Sequence, residues 1–353
     1  MKAPDPSRAP WQLFYGGAHA LRRRWFRDRA RVLPRPVISV GNLHWGGTGK
    51  TPLTAAVAAH LRDRGLKVCI LSRGYAGEGR GVRVVSVGGG PLLGPKVAGD
   101  EPVLLAGELP GVAVVVGPDR WHAGQQAMQR LDPSPDLFLL DDGFSHLALR
   151  RDLDLVAFPA ADPFGGGRLP PGGRLREPLA AIARASAVLL TGAADGAAGA
   201  TGAAGEDSGA ALAEALRPYG FAGPGFTSRT VPCRPHWIGR HGEIPAGSSV
   251  FLVSAVARPD TFTATVRALG YEIAGELRFP DHHAYPDASL EQIATAWRSS
   301  GAAAVLTTSK DRVKLLGRLK DVPWAELPIR AEPEPGFWRW LDSEIDLLRR
   351  PPS

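Results

Sequence analysis

At 353 residues the chain has room for two domains and a sizeable core, and 44% hydrophobic with 22% charged residues is the balance of a globular protein. Its two cysteines, Cys69 and Cys233, stand far apart without metal-ligand spacing, which argues against a disulfide framework or zinc site and for a reducing cytoplasm. A net charge of +7 calls for an anionic partner, whether nucleotide, nucleic acid or acidic lipid, and no apolar run approaches the roughly 18 residues needed to span a bilayer.

In the first segment, 1–36, Trp11, Phe14, Tyr15, Ala18, Leu21 and Trp25 recur at three- and four-residue steps, so they share one helical face. Arg22, Arg23, Arg24, Arg27, Arg29 and Arg31 crowd its second half. The pattern predicts a basic amphipathic helix that docks on a membrane surface or packs its aromatic stripe on the protein's own core. It lacks the order of basic region, apolar core and cleavage site of a secretory signal. Pro34 and Pro36 end it.

Val37 to Val40 is a short β-branched run of the kind buried on both faces. After it come Gly41-Asn42-Leu43-His44-Trp45-Gly46-Gly47-Thr48-Gly49-Lys50-Thr51-Pro52 and a helical segment to about Arg64. Strand, glycine turn, Lys-Thr and helix make a phosphate-binding loop. Its backbone N–H groups and helix N-terminus attract phosphate, Lys50 reaches the β- and γ-phosphates, and the Thr51 hydroxyl reaches Mg²⁺. His44 stands where the usual pattern has its first glycine.

Further apolar runs at 68–71, 82–87, 112–116, 137–140, 153–158 and 187–191, with helix-compatible segments such as 120–130 between several of them, predict a mostly parallel sheet covered by helices. Residues 192–211 are almost all small or acidic and read as a flexible surface insertion. Runs at 229–238, 250–253, 272–279 and 303–307 suggest a second, smaller α/β unit. The expected division is 1–36, a phosphate-loop core at 37–216, and a smaller unit at 217–353.

Leu137–Leu140 delivers Asp141 and Asp142 at a strand end, the place of the Mg²⁺-supporting acids of phosphate-loop enzymes. Asp100, in Gly99-Asp100-Glu101-Pro102, could cap a helix or act as a general base. The run Phe279-Pro280-Asp281-His282-His283-Ala284-Tyr285 concentrates titratable groups without completing a metal site. Arg73 and Tyr75 follow a strand, where open parallel sheets bind ligands. Arg168, Arg174 and Arg176 occupy a glycine- and proline-rich loop suited to phosphate recognition or simply to solvent. Glu177, beside Arg176, could be no more than its ion-pair partner.

Together, Val40-Gly41-Asn42-Leu43, Gly46–Pro52, Ser72-Arg73-Gly74-Tyr75, Gly99–Pro102, Asp141-Asp142-Gly143-Phe144, Leu175-Arg176-Glu177-Pro178, Phe279–His283 and Ser309-Lys310-Asp311 resemble, in order, the motifs of the tetraacyldisaccharide 4'-kinases, the lipid A 4'-kinases. The resemblance covers residues from about 37 to 315. It implies a P-loop NTPase-like α/β fold and transfer of the ATP γ-phosphate to the 4'-hydroxyl of a tetraacyldisaccharide 1-phosphate, forming lipid IVA. It further implies peripheral attachment to the anionic cytoplasmic face of a bacterial inner membrane, with no nucleic acid and no obligate protein partner. By the same resemblance Asp100 is the base, His282 its partner and Lys50 the third catalytic group. Gly46, Gly47, Thr48, Gly49, Lys50 and Thr51 hold ATP, and Thr51, Asp141, Asp142 and Glu177 hold Mg²⁺. Asn42, Arg73, Tyr75, Arg120, His146 and Arg176 meet the lipid substrate. Ser145 departs from the glutamine usual before His146.

A partitioning or switch ATPase is the rival of another class, but Trp45 stands where such ATPases place a lysine, and a guanine-specific Asn-Lys-x-Asp is absent. A non-catalytic lipid- or nucleic-acid-binding protein would rest on net charge alone.

Overall fold

The computed structural model describes residues 17, 21, 24–26, 29–75, 77–192, 207–239, 242–315, 318 and 322–350. Through the first part of the chain run β1 (Val37–Asn42), α1 (Lys50–Asp63), β2 (Val68–Ser72), β3 (Arg83–Val87), α2 (Pro95–Ala98), α3 (Asp100–Glu108), β4 (Ala113–Val116), α4 (Arg120–Arg130), β5 (Leu137–Asp141), β6 (Leu153–Pro159), β7 (Ala187–Thr191), α5 (Asp207–Leu216) and β8 (Gly225–Pro232). Then follow β9 (His236–Trp237), β10 (Ser249–Ser254), α6 (Pro259–Ala268), β11 (Glu272–Arg278), α7 (Asp287–Ser300), β12 (Ala304–Thr308), α8 (Ser309–Leu315), β13 (Trp324–Leu327), β14 (Ile329–Pro333) and α9 (Pro335–Leu348).

A nine-stranded sheet has the order β14-β8-β7-β6-β1-β5-β2-β4-β3, which sets the phosphate-loop strand near its middle. Only the pairings of the two edge strands, β3 with β4 and β14 with β8, are antiparallel. The reason is visible residue by residue. Ile38 and Val40 of β1, with Leu137 and Leu139 of β5, enter one core, while Val37, Phe138 and Leu140 enter the core on the opposite face. A strand that buries both faces has no polar side to turn to water, so helices must cover both. The six apolar runs expected as strands before residue 192 all lie in this sheet.

The second sheet, of order β11-β10-β12-β13-β9, is built the same way, with Val250 and Leu252 facing one cluster and Phe251 and Val253 the other. Its extent differs from the expected 217–353. Strand β8 pairs in parallel with β7, and β14 pairs with β8, so 225–232 and 329–333 both belong to the larger sheet. The prolines and glycines of 216–225 mark an ordinary helix-to-strand loop and not a linker. The chain crosses between the sheets twice, side by side, where the Cys233 backbone N–H donates to the Pro328 carbonyl at 2.8 Å.

Of the expected insertion, 193–206 lies outside the described residues and 207–211 forms the first half of α5. Trp11, Phe14, Tyr15, Ala18, Arg22, Arg23 and Arg27 of the first segment likewise lie outside them. Gly17, Leu21 and Arg24–Phe26 are helical, and Leu21 and Trp25 are 70% and 58% exposed. The segment is tied down at its end. Arg31 pairs with Asp119 and lies 4.6 Å over the Trp121 ring, whose Nε1 donates to the Val32 carbonyl at 2.9 Å.

Candidate active site

The loop after β1 is shaped by contacts from below. Gly49 has φ 75°, a left-handed conformation that glycine adopts without a Cβ clash, and a Cβ there would stand 3.3 Å from Thr191. The Thr191 hydroxyl donates to the Thr48 carbonyl at 2.7 Å, so β7 supports the loop from beneath. Asn42 Nδ2 donates to Thr48 Oγ1 at 2.7 Å and its Oδ1 accepts from Lys50 Nζ at 3.3 Å. The loop therefore carries its own polar frame, with the first amides of α1 and the Lys50 ammonium at one end. Gly46 and Gly47 have open space where a Cβ would be, which leaves their backbone approachable.

His44 is buried against the Phe158 ring, and among the described residues its ring has the Pro163 backbone as a polar partner, without the alignment of a full hydrogen bond. Burial brings its pKa down to about 4, with the Arg176 and Lys50 charges adding to the effect against Asp162. This imidazole is neutral at physiological pH.

At the end of β5 two adjacent carboxylates behave oppositely. Asp142 accepts two hydrogen bonds from the Arg176 guanidinium, one of 2.8 Å, and lies 3.1 Å from Lys50 Nζ. Burial alone would raise its pKa, but Arg176 and Lys50 outweigh burial and hold it well below the usual carboxylate range. Asp141 is 2% exposed and receives only long hydrogen bonds, 3.3 Å from Ser72 and 3.4 Å from Thr54. Burial, then the charges of Glu101 and Asp142, push it up to about 7.

Among the described residues that carboxylate has no cation within ion-pair distance, only the Coulombic reach of Lys50 and Arg120, and an oxygen-seeking divalent ion beside it suits the donor set. Among the described residues no three His, Cys, Asp or Glu side chains converge on one point. An ion here would complete its shell with Thr51, nucleotide phosphates and water, as Mg²⁺ commonly does. Glu177, expected with these acids, has partners of its own. Its two oxygens accept from Ser145 at 2.5 Å and Arg184 at 2.8 Å, and Arg184 lies 3.7 Å over the Phe144 ring.

Asp100 opens α3. The preceding Gly99 has φ 89°, and a Cβ on it would stand 2.4 Å from the Tyr75 carbonyl, so the turn carrying Arg73 and Tyr75 packs directly on the turn carrying Asp100. From the smaller sheet, His282 follows β11 with φ 63° and brings Nδ1 to 3.3 Å from Asp100 Oδ2. Its ring meets that of Tyr75 edge-on at 5.9 Å. The neighbouring histidine is structural: His283 stacks on Phe279 at 4.6 Å and bonds Ser289 at 2.9 Å. Lys314 of α8 places its ammonium 3.1 Å from the same Asp100 oxygen.

Arg120 is 5% exposed and has no carboxylate within ion-pair distance among the described residues. Burial, then the nearby Arg73 charge, lowers its pKa to about 10. Two guanidinium groups held together in this way form an anion-binding feature. His146 follows Asp142 in the turn, its backbone N–H donating to the Gly143 carbonyl at 2.8 Å. Arg176, expected at the substrate, donates to Asp142 and to the Asn42 carbonyl, which accepts from Nη2 at 3.1 Å.

The family model described as "Tetraacyldisaccharide-1-P 4'-kinase" matches residues 7–346. The chain belongs to this family. A tetraacyldisaccharide 4'-kinase from Anaeromyxobacter sp. (strain Fw109-5) is 45% identical over 289 residues, covering 79% of this chain and 73% of the relative. One from Geobacter metallireducens is 41% identical over 327 residues, covering 90% and 89%. A crystal structure of the "apo" form of LpxK from Aquifex aeolicus in complex with ATP superimposes with TM-score 0.75 at 30% identity, covering 98% of this chain and 99% of that one. In this member of the 4'-kinase family, Lys314 and Thr191 escaped sequence reasoning. Thr191 ends a run read only as a strand. Lys314 lies one helical turn beyond Asp311, on the same face of α8, and that spacing was a usable signal.

Proposed function

We propose that Asp100 is the general base, and that it serves the attack of an acylated disaccharide's 4'-hydroxyl on the γ-phosphorus of ATP. The reaction class is that of the family, an ATP-dependent 4'-kinase of lipid A biosynthesis. The acceptor is a tetraacyldisaccharide 1-phosphate and the product lipid IVA.

The observation that carries this reading is the convergence of Lys50, Asp142 and the Asp100–His282 pair. The loop cation lies 3.1 Å from Asp142 at the end of β5, and the base lies 3.3 Å from an imidazole of the other sheet. Glu101, next to Asp100, is close enough for its charge to act on Asp141, so the base adjoins the nucleotide site.

As the acceptor oxygen bonds to the γ-phosphorus, the bond from that phosphorus to the β,γ-bridging oxygen breaks and ADP leaves. The hydroxyl proton passes to the Asp100 carboxylate, and His282 orients that carboxylate. Loop amides and Lys50 stabilise the charge spread over the transferring group. Asp141 and Thr51 would hold Mg²⁺, which when bound neutralises charge on the β- and γ-phosphates. Arg73 and Arg120 offer a second anion contact beside Tyr75.

The smaller sheet swings on the paired crossings at Cys233 and Pro328, closing His282 over Asp100 and excluding water from the γ-phosphate. Attachment is peripheral, at the cytoplasmic face of the inner membrane, through the basic first segment. Among the described residues no helix is long and apolar enough to cross a membrane. Exposed Leu21 and Trp25, with the Arg29 guanidinium 4.0 Å over the Trp25 ring, fit an interfacial anchor.

The test is to incubate the protein with ATP, Mg²⁺ and the tetraacyldisaccharide 1-phosphate and weigh the lipid. The expected result is one added phosphate. ATP hydrolysis that requires a protein partner and leaves the lipid unmodified would favour the switch-ATPase class instead.

A further inference from the structure

Asp100 Oδ2 is approached twice, by His282 Nδ1 at 3.3 Å and by Lys314 Nζ at 3.1 Å, whereas Oδ1 has no hydrogen-bond partner among the described residues. Lys314 comes from the smaller sheet's α8, is nearly buried, and is itself held. Asp311 Oδ1 lies 3.7 Å from the same ammonium, and its Oδ2 accepts from the Ala255 backbone N–H at 3.0 Å and the Thr308 hydroxyl at 2.8 Å. The Tyr285 ring closes the far side, 6.0 Å from Nζ. One ammonium therefore stands between two buried carboxylates, one from each sheet. Burying two like charges without a shared counter-ion is costly, so this ammonium is what lets them coexist. None of its N–H groups is aligned for a hydrogen bond, so the 3.1 Å approach is an electrostatic contact.

We propose that Lys314 is a positioning residue for the transfer reaction: by occupying Asp100 Oδ2 together with His282, it turns Oδ1 toward the acceptor hydroxyl. This rests on the reading of Asp100 as the base. The cation belongs to the other sheet, so the base is oriented only when the two sheets are together. A base held through one oxygen keeps the other for the proton it must accept, which is the geometry general-base transfer requires. Lys314 touches neither nucleotide nor acceptor in this scheme, so its removal slows the chemical step and spares ATP binding.

The experiment compares Lys314→Met, which keeps most of the stem, with Lys314→Ala and Lys314→Arg in steady-state phosphorylation of the disaccharide lipid. Thermal melts of all variants accompany the kinetics. Folded Met and Ala variants should lose roughly 10- to 100-fold in kcat with KM for ATP within about twofold of wild type, and Lys314→Arg should recover part of the loss. Wild-type kcat in the Met variant, beside a dead Asp100→Ala, would overturn the proposal. So would a matching rise in KM for ATP, or loss of the folded state in both neutral variants, which would make Lys314 a residue of the fold alone. If wild-type protein added no phosphate to the lipid, the reading of the reaction would fall and this proposal with it, whereas an active wild type beside an equally active Met variant overturns this proposal alone.

Discussion

The Lys50 ammonium lies 3.1 Å from Asp142 Oδ1, joining the phosphate loop at the head of α1 to the acid at the end of β5. Arg176 grips the other side of the same carboxylate, so the loop cation is oriented by a residue fixed in turn by a second cation. Such a group needs little rearrangement as charge develops on a transferring phosphoryl.

Lys50→Ala should therefore reduce kcat/KM by about 10²–10³-fold, or roughly 3–4 kcal/mol of transition-state stabilisation. Steady-state kinetics with the lipid acceptor measure this, and near-normal turnover would remove the phosphate loop from the chemistry.

Asp100 and His282, 3.3 Å apart, should behave as one unit. Each alanine variant lowers kcat strongly and leaves ATP binding nearly intact, while the double variant is little worse than the poorer single one. Fully multiplying losses would show two independent contributions.

Protonation of His44 should make the protein sensitive to mild acid. Its folded pKa of about 4 lies below the ordinary 6.5, so the unfolded chain binds more protons between those values. Stability is then full above the higher value and is lost as pH falls through the window, roughly 2 kcal/mol between pH 7 and 5. Urea melts of the wild type and of His44→Phe at both pH values check this, because the variant should lose less on acidification.

Glu177 should prove structural. Glu177→Ala strands the Arg184 guanidinium over Phe144 and should destabilise the fold by about 3–5 kcal/mol, with the Mg²⁺ dependence of the remaining activity unchanged. A raised Mg²⁺ requirement in a stable variant would return Glu177 to the metal.

What the sequence disclosed followed chain proximity. β-Branched runs, the glycine loop and the acids at a strand end are local, and all appear where expected. The edge strand β14 was hidden because its exposed positions, Ile329 and Arg330, break the continuous apolar signal. The unit boundary was misplaced because prolines and glycines serve helix-to-strand loops as readily as linkers. In the site, residues paired across the two sheets could not be read from spacing. The Asp311–Lys314 spacing marked a polar face of α8 but not its partner Asp100, and nothing local foretold that Glu177 pairs with Arg184.

The placement of β14 and α9 bears on how the protein is made. The smaller sheet is inserted between two neighbouring strands of the larger one, so the larger sheet is completed only after the whole inserted sheet has been synthesised. Asp342 of α9 then lies 2.7 Å from His60 Nε2 and 3.0 Å from Arg64, while Trp338 stacks on His60 at 4.3 Å. His60 belongs to the same helix that begins at Lys50. A nascent chain thus carries Lys50 on a helix whose contacts with Trp338 and Asp342 form only after the inserted sheet has been made, and truncation between residues 328 and 334 would strip those contacts from the nucleotide half while leaving the inserted sheet complete.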